Sequence, residues 1–417
     1  MNMEYIDLKY KPDITDIICE FYLEPVHGSS IIDVANQVAA ESSIGTWTDV
    51  KTEKSYMRGL GAKVFSIKKN YIKIAYPLDL FEPGNVPQLL SSVAGNIFGM
   101  KVVEKLRLED IHLPRAYIRG FKGPKYGING IRKMLKVYKR PLVGTIIKPK
   151  LGLKTVDHAK VAYNSWIGGC DIVKDDENLS NQKFNPFEKR VTETLKMRDK
   201  AEKETGEKKI YMPNVTAETD EMIRRARFVK AQGGEYAMID IITSGFSALQ
   251  TLRKEDMVIH AHRAGHAAFT RGNHGISMLT IAKLCRLIGT DQLHIGTVFG
   301  KMSSRANEVK TIEIEIERKI VPQLEGHALE QSWFKLKPVF AVCSGGLYPG
   351  MVPHIVKILG KNVIAQFGGG CHGHPYGTII GARAIRYAVE AVMHGIPLEE
   401  YALKHFELKS ALDKWHY

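Results

Sequence analysis

Four charged residues in a row, Lys174-Asp175-Asp176-Glu177, follow the apolar pair Ile172-Val173, with Gly168-Gly169 a little upstream. Asp176 and Glu177 offer hard carboxylate oxygens, which suit Mg²⁺ better than a soft metal. A charge run is also what a solvated face looks like, and Asp175 in particular is free to face outward. On these residues alone, metal site and solvated loop stand side by side. Lys148-Pro149-Lys150 puts two ammonium groups at i and i+2 on one face of an extended segment, and the proline stops the strand before it. Taken alone it reads as a basic loop. His260-Ala261-His262-Arg263 admits zinc ligation, acid–base work or a structural role for its histidines, while the Arg263 guanidinium suits bidentate contact with a phosphate. His294 adds a donor for an anion or a proton shuttle, and His274 reads as structural. Lys301 follows Gly300 in a long segment able to fold over a substrate, although by itself it is an ordinary loop lysine. Ser344-Gly345-Gly346 and Gly368-Gly369-Gly370 leave backbone N–H groups open to an anion, unless they are simple turns.

Side chains so far apart in sequence need a scaffold to converge. Candidate strands at 142–148, 171–174, 209–213, 236–241, 258–262, 292–297, 337–342 and 362–366 alternate with helical stretches such as 187–204, 220–232, 278–287 and 382–392. The strand starts lie about 31 residues apart on average, which fits a (β/α)8 barrel of about 250 residues. The active site of such a barrel lies at the C-terminal ends of its strands, where each motif above falls. An open doubly wound sheet is the alternative, but eight units in series favour closure. One metal site, two cationic regions and two glycine cradles around one mouth suit a small sugar bisphosphate and a metal enzyme.

The first 125 or so residues read differently. Strands at 17–23, 64–67, 72–75 and 101–108 with helices at 31–40 and 87–98 give the order βαββαβ, the pattern of a ferredoxin-like sheet. The expected architecture is therefore α/β: an N-terminal α+β ferredoxin-like domain over 1–128 and a C-terminal (β/α)8 TIM barrel over 129–417.

Composition narrows the function. The 417 residues are 44% hydrophobic and 25% charged, which excludes disordered, collagen-like and coiled-coil chains. Five scattered cysteines form no CxxC, so neither a disulfide framework nor a thiolate zinc site is expected. The net charge of +14 suits an anionic ligand, but it is spread along the chain without a basic tail or basic–aromatic interleaving, so nucleic acid is not the expected partner. The N-terminus has no signal-like pattern and no apolar run of about 18 residues occurs, so no membrane span and a cytoplasmic location are expected.

These motifs together are similar to those of a known family. Gly168-Gly169-Cys170-Asp171-Ile172-Val173-Lys174-Asp175-Asp176-Glu177 fits the signature of the large subunit of ribulose-1,5-bisphosphate carboxylase/oxygenase (RuBisCO). Residues 41–48 (ESSIGTWT), 95–99 (GNIFG), Lys148-Pro149-Lys150, His262-Arg263-Ala264-Gly265-His266, 291–297 (DQLHIGT) and Gly300-Lys301 agree in order and spacing over nearly the whole length. The chain most resembles the archaeal form III group, which has no small subunit.

The resemblance implies Mg²⁺-dependent carboxylation of ribulose 1,5-bisphosphate by CO₂ to two 3-phosphoglycerates, with O₂ competing. It implies one Mg²⁺ per active site, held by Asp176, Glu177 and a carbamate that activating CO₂ forms on Lys174. The same carbamate would take the C3 proton. It gives Lys148 enolisation and product protonation, Lys150 and His262 charge and proton movement, and Lys301 the added carboxylate, with Glu41 orienting it. Arg263, His294 and Ser344 would hold one side of the bisphosphate; Thr46, Trp47, Gly346, Gly368 and Gly369 would hold the other phosphate, with Gly345 and Asn96 completing the substrate pocket. Glu41, Thr46, Trp47 and Asn96 would complete a partner's barrel, so a homodimer or a ring of dimers is implied. The chain departs from the family pattern at Ile146, where threonine is usual, and at Met302-Ser303-Ser304, where Leu, Glu and Gly are usual. The alternatives are a RuBisCO-like enolase or isomerase acting on a sugar phosphate, a zinc hydrolase barrel, and an anion-binding module without catalysis.

Overall fold

The computed structural model describes residues 4–48, 50–297, 306–324 and 328–416. The chain forms two compact units. The first comprises Met1–Gly123, Gly265–Ile288 and Arg318–Leu336; the second comprises Pro124–Ala264, Gly289–Glu317 and Lys337–Tyr417.

In the first unit, β1 (Ile17–Pro25), β2 (Lys63–Lys68), β3 (Tyr71–Tyr76) and β4 (Val103–His112) run in the order β4-β1-β3-β2, all antiparallel. With helices Ile31–Glu41 and Val86–Val93 between them, this is the expected βαββαβ arrangement. Helix Ile31–Glu41 buries Val34, Ala35, Val38 and Ala39, a stripe with the helical period. Its N-cap Ser30 accepts from the Ile32 N–H. The sequence reading assigned no strand near residue 275, yet Gly275–Ile276 pairs in parallel with β4 as a fifth strand. Helix Met278–Ile288, expected beside the barrel strands, also belongs to this unit. Every one of its residues is buried, and Lys283 Nζ meets Asp110 Oδ1 of β4 at 2.6 Å, which anchors it there.

With Gly275–Ile276 as β10, the strands of the second unit are β5 (Leu142–Ile146), β6 (Ile172–Lys174), β7 (Ile210–Met212), β8 (Tyr236–Asp240), β9 (Val258–His262), β11 (Gln292–Gly296), β14 (Phe340–Ser344) and β15 (Val363–Phe367). The two-residue strands β12 (Ile320–Val321) and β13 (Gln331–Ser332) pair with each other in the first unit. The eight strands are parallel, in the order β7-β6-β5-β15-β14-β11-β9-β8, and a parallel bridge between Asn214 and Met238 joins the two ends. This is the expected eight-stranded barrel.

Apolar residues sit low on the strands and polar ones high. Leu142, Ile172, Ile210, Tyr236, Val258, Phe340 and Ile364, each at or near a strand's start, join Ile128, Ile131 and Leu135 in one core cluster. Runs this apolar suit parallel strands covered on both faces. Asp171 and Asp291 tie the N-terminal end together: Asp171 takes a bidentate contact from Arg140 at 2.6 and 2.7 Å, and Asp291 accepts from the Tyr126, Gly127 and Ile259 N–H groups. The C-terminal end is left for chemistry.

Candidate active site

The barrel mouth gathers Lys148, Lys174, Asp176, Glu177 and His262. Strand β6 is three residues long and ends on Lys174, so Asp176 and Glu177 leave it directly at the rim. Asp176 is 1% exposed, and its Oδ2 accepts from Lys148 Nζ at 2.6 Å while Oδ1 accepts from the Asn178 side-chain amide at 2.9 Å. Lys174 is equally buried. Its Nζ donates to the Asp175 carbonyl at 2.8 Å and stands 3.5 Å from both Glu177 Oε2 and Met238 Sδ. His262 Nε2 lies 3.6 Å from Glu177 Oε2, and its Nδ1 is 3.0 Å from Asp240 Oδ1. Burial alone would raise the Glu177 carboxyl, but the charge of Lys174, with smaller contributions from His262 and Lys148, outweighs it and brings Glu177 down to about 2.

The expectation that Asp175 faces outward is wrong. Asp175 is fully buried and carries an ion pair with Arg190. A charge can sit there because four donors surround it.

A second group lies across β9, β11 and β14. His260 Nδ1 is 2.7 Å from Gln292 Oε1, His260 Nε2 is 2.9 Å from His294 Nε2, and His294 Nδ1 is 2.9 Å from Ser344 Oγ. Burial, reinforced by the charge of Lys174, holds His260 down to about 3, and burial lowers His294 as well. Both rings are therefore neutral near pH 7, each with one donor and one acceptor nitrogen. Arg263 is buried beside them. Burial brings it down to about 10, and Glu308 opposes that shift. A buried guanidinium suits an anion.

The remaining candidates divide. Gly345 and Gly346 follow β14 with φ of 124° and 86°, conformations that favour glycine. Gly369 faces open space, Gly368 has only Lys148 Cε within 4 Å, and a side chain at Gly370 would strike the Leu347 carbonyl. Lys150 is exposed past β5. Glu41, Thr46, Trp47 and Asn96 belong to the first unit; Glu41 ends its helix half-buried, and Trp47 is 92% exposed. His274 has a structural role there, its Nδ1 accepting from the Leu106 N–H. Lys301 and its neighbours 302–304 lie outside the described residues.

Sequence reasoning missed Asp240, Gln292 and His372. Asp240 was detectable, since it ends β8 as the other motifs end their strands. His372 contacts Thr145 Oγ1 at 2.9 Å and the Ile146 carbonyl at 3.0 Å, a pairing with no linear signal. Among the described residues, no three His, Cys, Asp or Glu side chains gather as ligands for a metal ion. Asp176 and Glu177 offer hard carboxylate oxygens at this rim, with the Lys174 amine 3.5 Å from Glu177 and the Lys148 amine 2.6 Å from Asp176.

Two family models match the chain. The catalytic domain of the ribulose bisphosphate carboxylase large chain matches residues 127–415, and the N-terminal domain of that chain matches residues 4–117. The ribulose bisphosphate carboxylase of Methanosarcina mazei is 53% identical over 100% of this chain and 99% of its own; that of Methanocaldococcus jannaschii is 52% identical over 99% and 100%. Among solved structures, a dimeric archaeal Rubisco from Hyperthermus butylicus aligns with a TM-score of 0.94 and 45% identity, covering 99% of both chains. An octameric Rubisco from Pyrococcus horikoshii aligns at 0.91 and 45%, covering 98% of this chain and 96% of that one. Sequence and fold agree along the full length, and the chain belongs to the ribulose bisphosphate carboxylase large chain family.

Proposed function

We propose that this chain carboxylates ribulose 1,5-bisphosphate with CO₂ to give two molecules of 3-phosphoglycerate, with O₂ as a competing substrate. The observation that carries the reading is the corner at the end of β6, where the buried Lys174 amine stands 3.5 Å from the Glu177 carboxylate and the buried Asp176 carboxylate follows on the same rim. Addition of CO₂ to Lys174 turns its amine into an anionic oxygen donor and completes a hard-oxygen set for Mg²⁺ with Asp176 and Glu177. Mg²⁺ bound there supplies a Lewis acid for the substrate carbonyl and compensates the charge of the enediolate.

The rest falls to the protein's own groups. The C3 proton passes to the modified Lys174 side chain. The enediolate carbon then bonds to CO₂, water adds at C3, the C2–C3 bond breaks, and the resulting carbanion is protonated by Lys148. Lys148 already contacts Asp176 and so sits beside that corner. His262, steadied by Asp240, moves protons at the mouth with Lys150. The buried Arg263 guanidinium takes one phosphate with His294 and Ser344, and the backbone at Gly346, Gly368 and Gly369 takes the other, with Gly345 completing the pocket. Lys301 stabilises the added carboxylate.

We assign the supporting roles of Glu41, Thr46, Trp47 and Asn96 to a neighbouring copy's site, in a homodimer or ring of dimers without a small subunit. The high exposure of Trp47 supports this, as do the dimeric and octameric relatives. The two family models, matching 4–117 and 127–415, support a boundary near residue 128. No helix of the described residues is long and apolar enough to cross a membrane. The five cysteines are buried and none is in a disulfide, which suits a reducing cytoplasm.

Incubation with labelled CO₂, Mg²⁺ and ribulose 1,5-bisphosphate tests the assignment. Label is expected in the carboxyl group of half of the 3-phosphoglycerate formed. Substrate isomerised or exchanged at C3 without incorporation of label would refute carboxylation and favour an enolase or isomerase.

A further inference from the structure

Asp175 lies between residues assigned to the metal, yet its side chain turns away from them into a buried set of donors. Its Oδ1 accepts from Tyr211 Oη at 2.7 Å and from His158 Nε2 at 3.0 Å; its Oδ2 accepts from Arg190 Nε and the Asn214 N–H, both at 3.0 Å. A carboxylate only accepts, so His158 must donate. The donors come from separate elements: His158 from helix Thr155–Ile167, Arg190 from helix Phe187–Thr205, Tyr211 from β7 and Asn214 from the turn beyond it. Arg190 also donates to the Asn185 and Ser180 carbonyls at 2.8 and 2.7 Å, which ties the segment after Glu177 into the same set. Burial works against a charge here, but Arg190 and the hydrogen bonds prevail and hold the Asp175 carboxyl well below its ordinary range.

The main chain of Asp175 is bound too. Its N–H donates to the Met212 carbonyl at 3.0 Å, and its own carbonyl accepts from Lys174 Nζ at 2.8 Å. The group that holds the Lys174 amine is thus fixed by a carboxylate one side chain away. We propose that Asp175, with His158, Arg190 and Tyr211, acts as a positioning residue that sets the Lys174 amine and the Asp176–Glu177 carboxylates for activation by CO₂ and a divalent cation. The proposal rests on the carbamate reading of Lys174.

Outer partners of metal ligands characteristically govern affinity for the ion. The test therefore reads binding in the full-length protein rather than turnover. Mn²⁺ is titrated with and without bicarbonate, with free Mn²⁺ followed by electron paramagnetic resonance, and the carbamate signal is followed by NMR with ¹³C-bicarbonate. Tyr211→Phe and His158→Leu each remove one donor without stranding a charge. Each is expected to weaken bicarbonate-dependent Mn²⁺ binding by about 10-fold, in step with the carbamate signal, while KM for ribulose 1,5-bisphosphate stays near that of the parent. His158→Gln, which keeps a donor near the Nε2 position, is expected to restore binding. Parent-like Mn²⁺ binding in folded Tyr211→Phe and His158→Leu proteins would overturn the proposal, as would failure of His158→Gln to differ from His158→Leu. If the parent protein shows no bicarbonate-dependent Mn²⁺ binding, the carbamate reading itself fails and this proposal falls with it.

Discussion

Lys174 and Lys283 are buried to nearly the same depth, at 1% and 0% side-chain exposure, one in each unit. Their surroundings differ. Lys283 meets Asp110 at 2.6 Å and the Ile111 carbonyl at 3.0 Å. Lys174 has a carbonyl at 2.8 Å, a thioether, and a carboxylate no nearer than 3.5 Å. A buried ammonium is costly unless a counter-charge touches it. Lys283 has that contact and joins helix Met278–Ile288 to β4. Lys174 has it only at longer range. On the role proposed for Lys174, depth of burial does not separate a structural lysine from a reactive one; the contact distance of its counter-charge does.

Exchanging chemistry at the two sites should break or sharpen this contrast. Lys174→Arg keeps the charge but cannot form the carbamate. Carboxylation is expected to fall by about 10³-fold or more, because several kcal/mol of metal-dependent charge stabilisation is lost, while the urea midpoint stays near the parent's. Lys283→Met should do the reverse: unfolding free energy is expected to drop by about 3–5 kcal/mol, with turnover per folded molecule unchanged. Fixation of labelled CO₂ and urea titration read the two effects. Normal turnover in the first variant, or full stability in the second, would erase the distinction.

Carboxylates of the first unit extend the same comparison to pH. Asp110 touches its lysine, whereas Glu20 has Lys73 only at 3.9 Å. Burial raises both carboxyls against their lysines, and at Glu20 it carries the group from 4.5 up to about 7, with Lys73 only partly offsetting the rise. Between those values the folded chain keeps a proton that the unfolded chain has released, so stability falls as pH rises through the window. Glu20→Gln is expected to flatten that decline, by an amount on the order of 2 kcal/mol, in urea titrations across the range. An unchanged slope would mean that Glu20 is ionised despite its burial.

The smallest effect concerns the histidine side of the mouth. Ser344→Ala removes one neutral hydrogen bond to His294. It is expected to raise KM for the bisphosphate by roughly 2- to 10-fold, the range of one such bond, with kcat less affected in steady-state assays. A dominant loss of kcat would move Ser344 from substrate binding to the chemical step.

Much of this arrangement was legible in the sequence, because barrel strands carry their signal locally. β9 matches the expected 258–262, and β6 differs from the expected 171–174 by one residue. Lys174, Asp176, Glu177 and His262 stood at or just past strand ends, where the barrel rule places chemistry, and His294 stood within its strand. What was hidden depends on contacts between distant residues. The direction of the Asp175 side chain is set by Arg190, 15 residues on, and Tyr211, 36 residues on. The roles of Gln292 and His260 follow from parallel pairing of β9 with β11. Helix Met278–Ile288 has the length and spacing of a barrel helix, and its contacts with Asp110 and Ile111 of β4 reveal which unit it joins.

That assignment bears on how the protein is born. The edge of the first sheet receives β10 from a segment 168 residues downstream of the β4 residues it pairs with. At typical translation speeds, ribosomes need roughly 10 to 30 s to make that much chain. Throughout that interval the nascent β4 edge stands unpaired while the codons for five barrel strands are read, so an N-terminal fragment released early would carry an open, sticky margin that the finished polypeptide never displays.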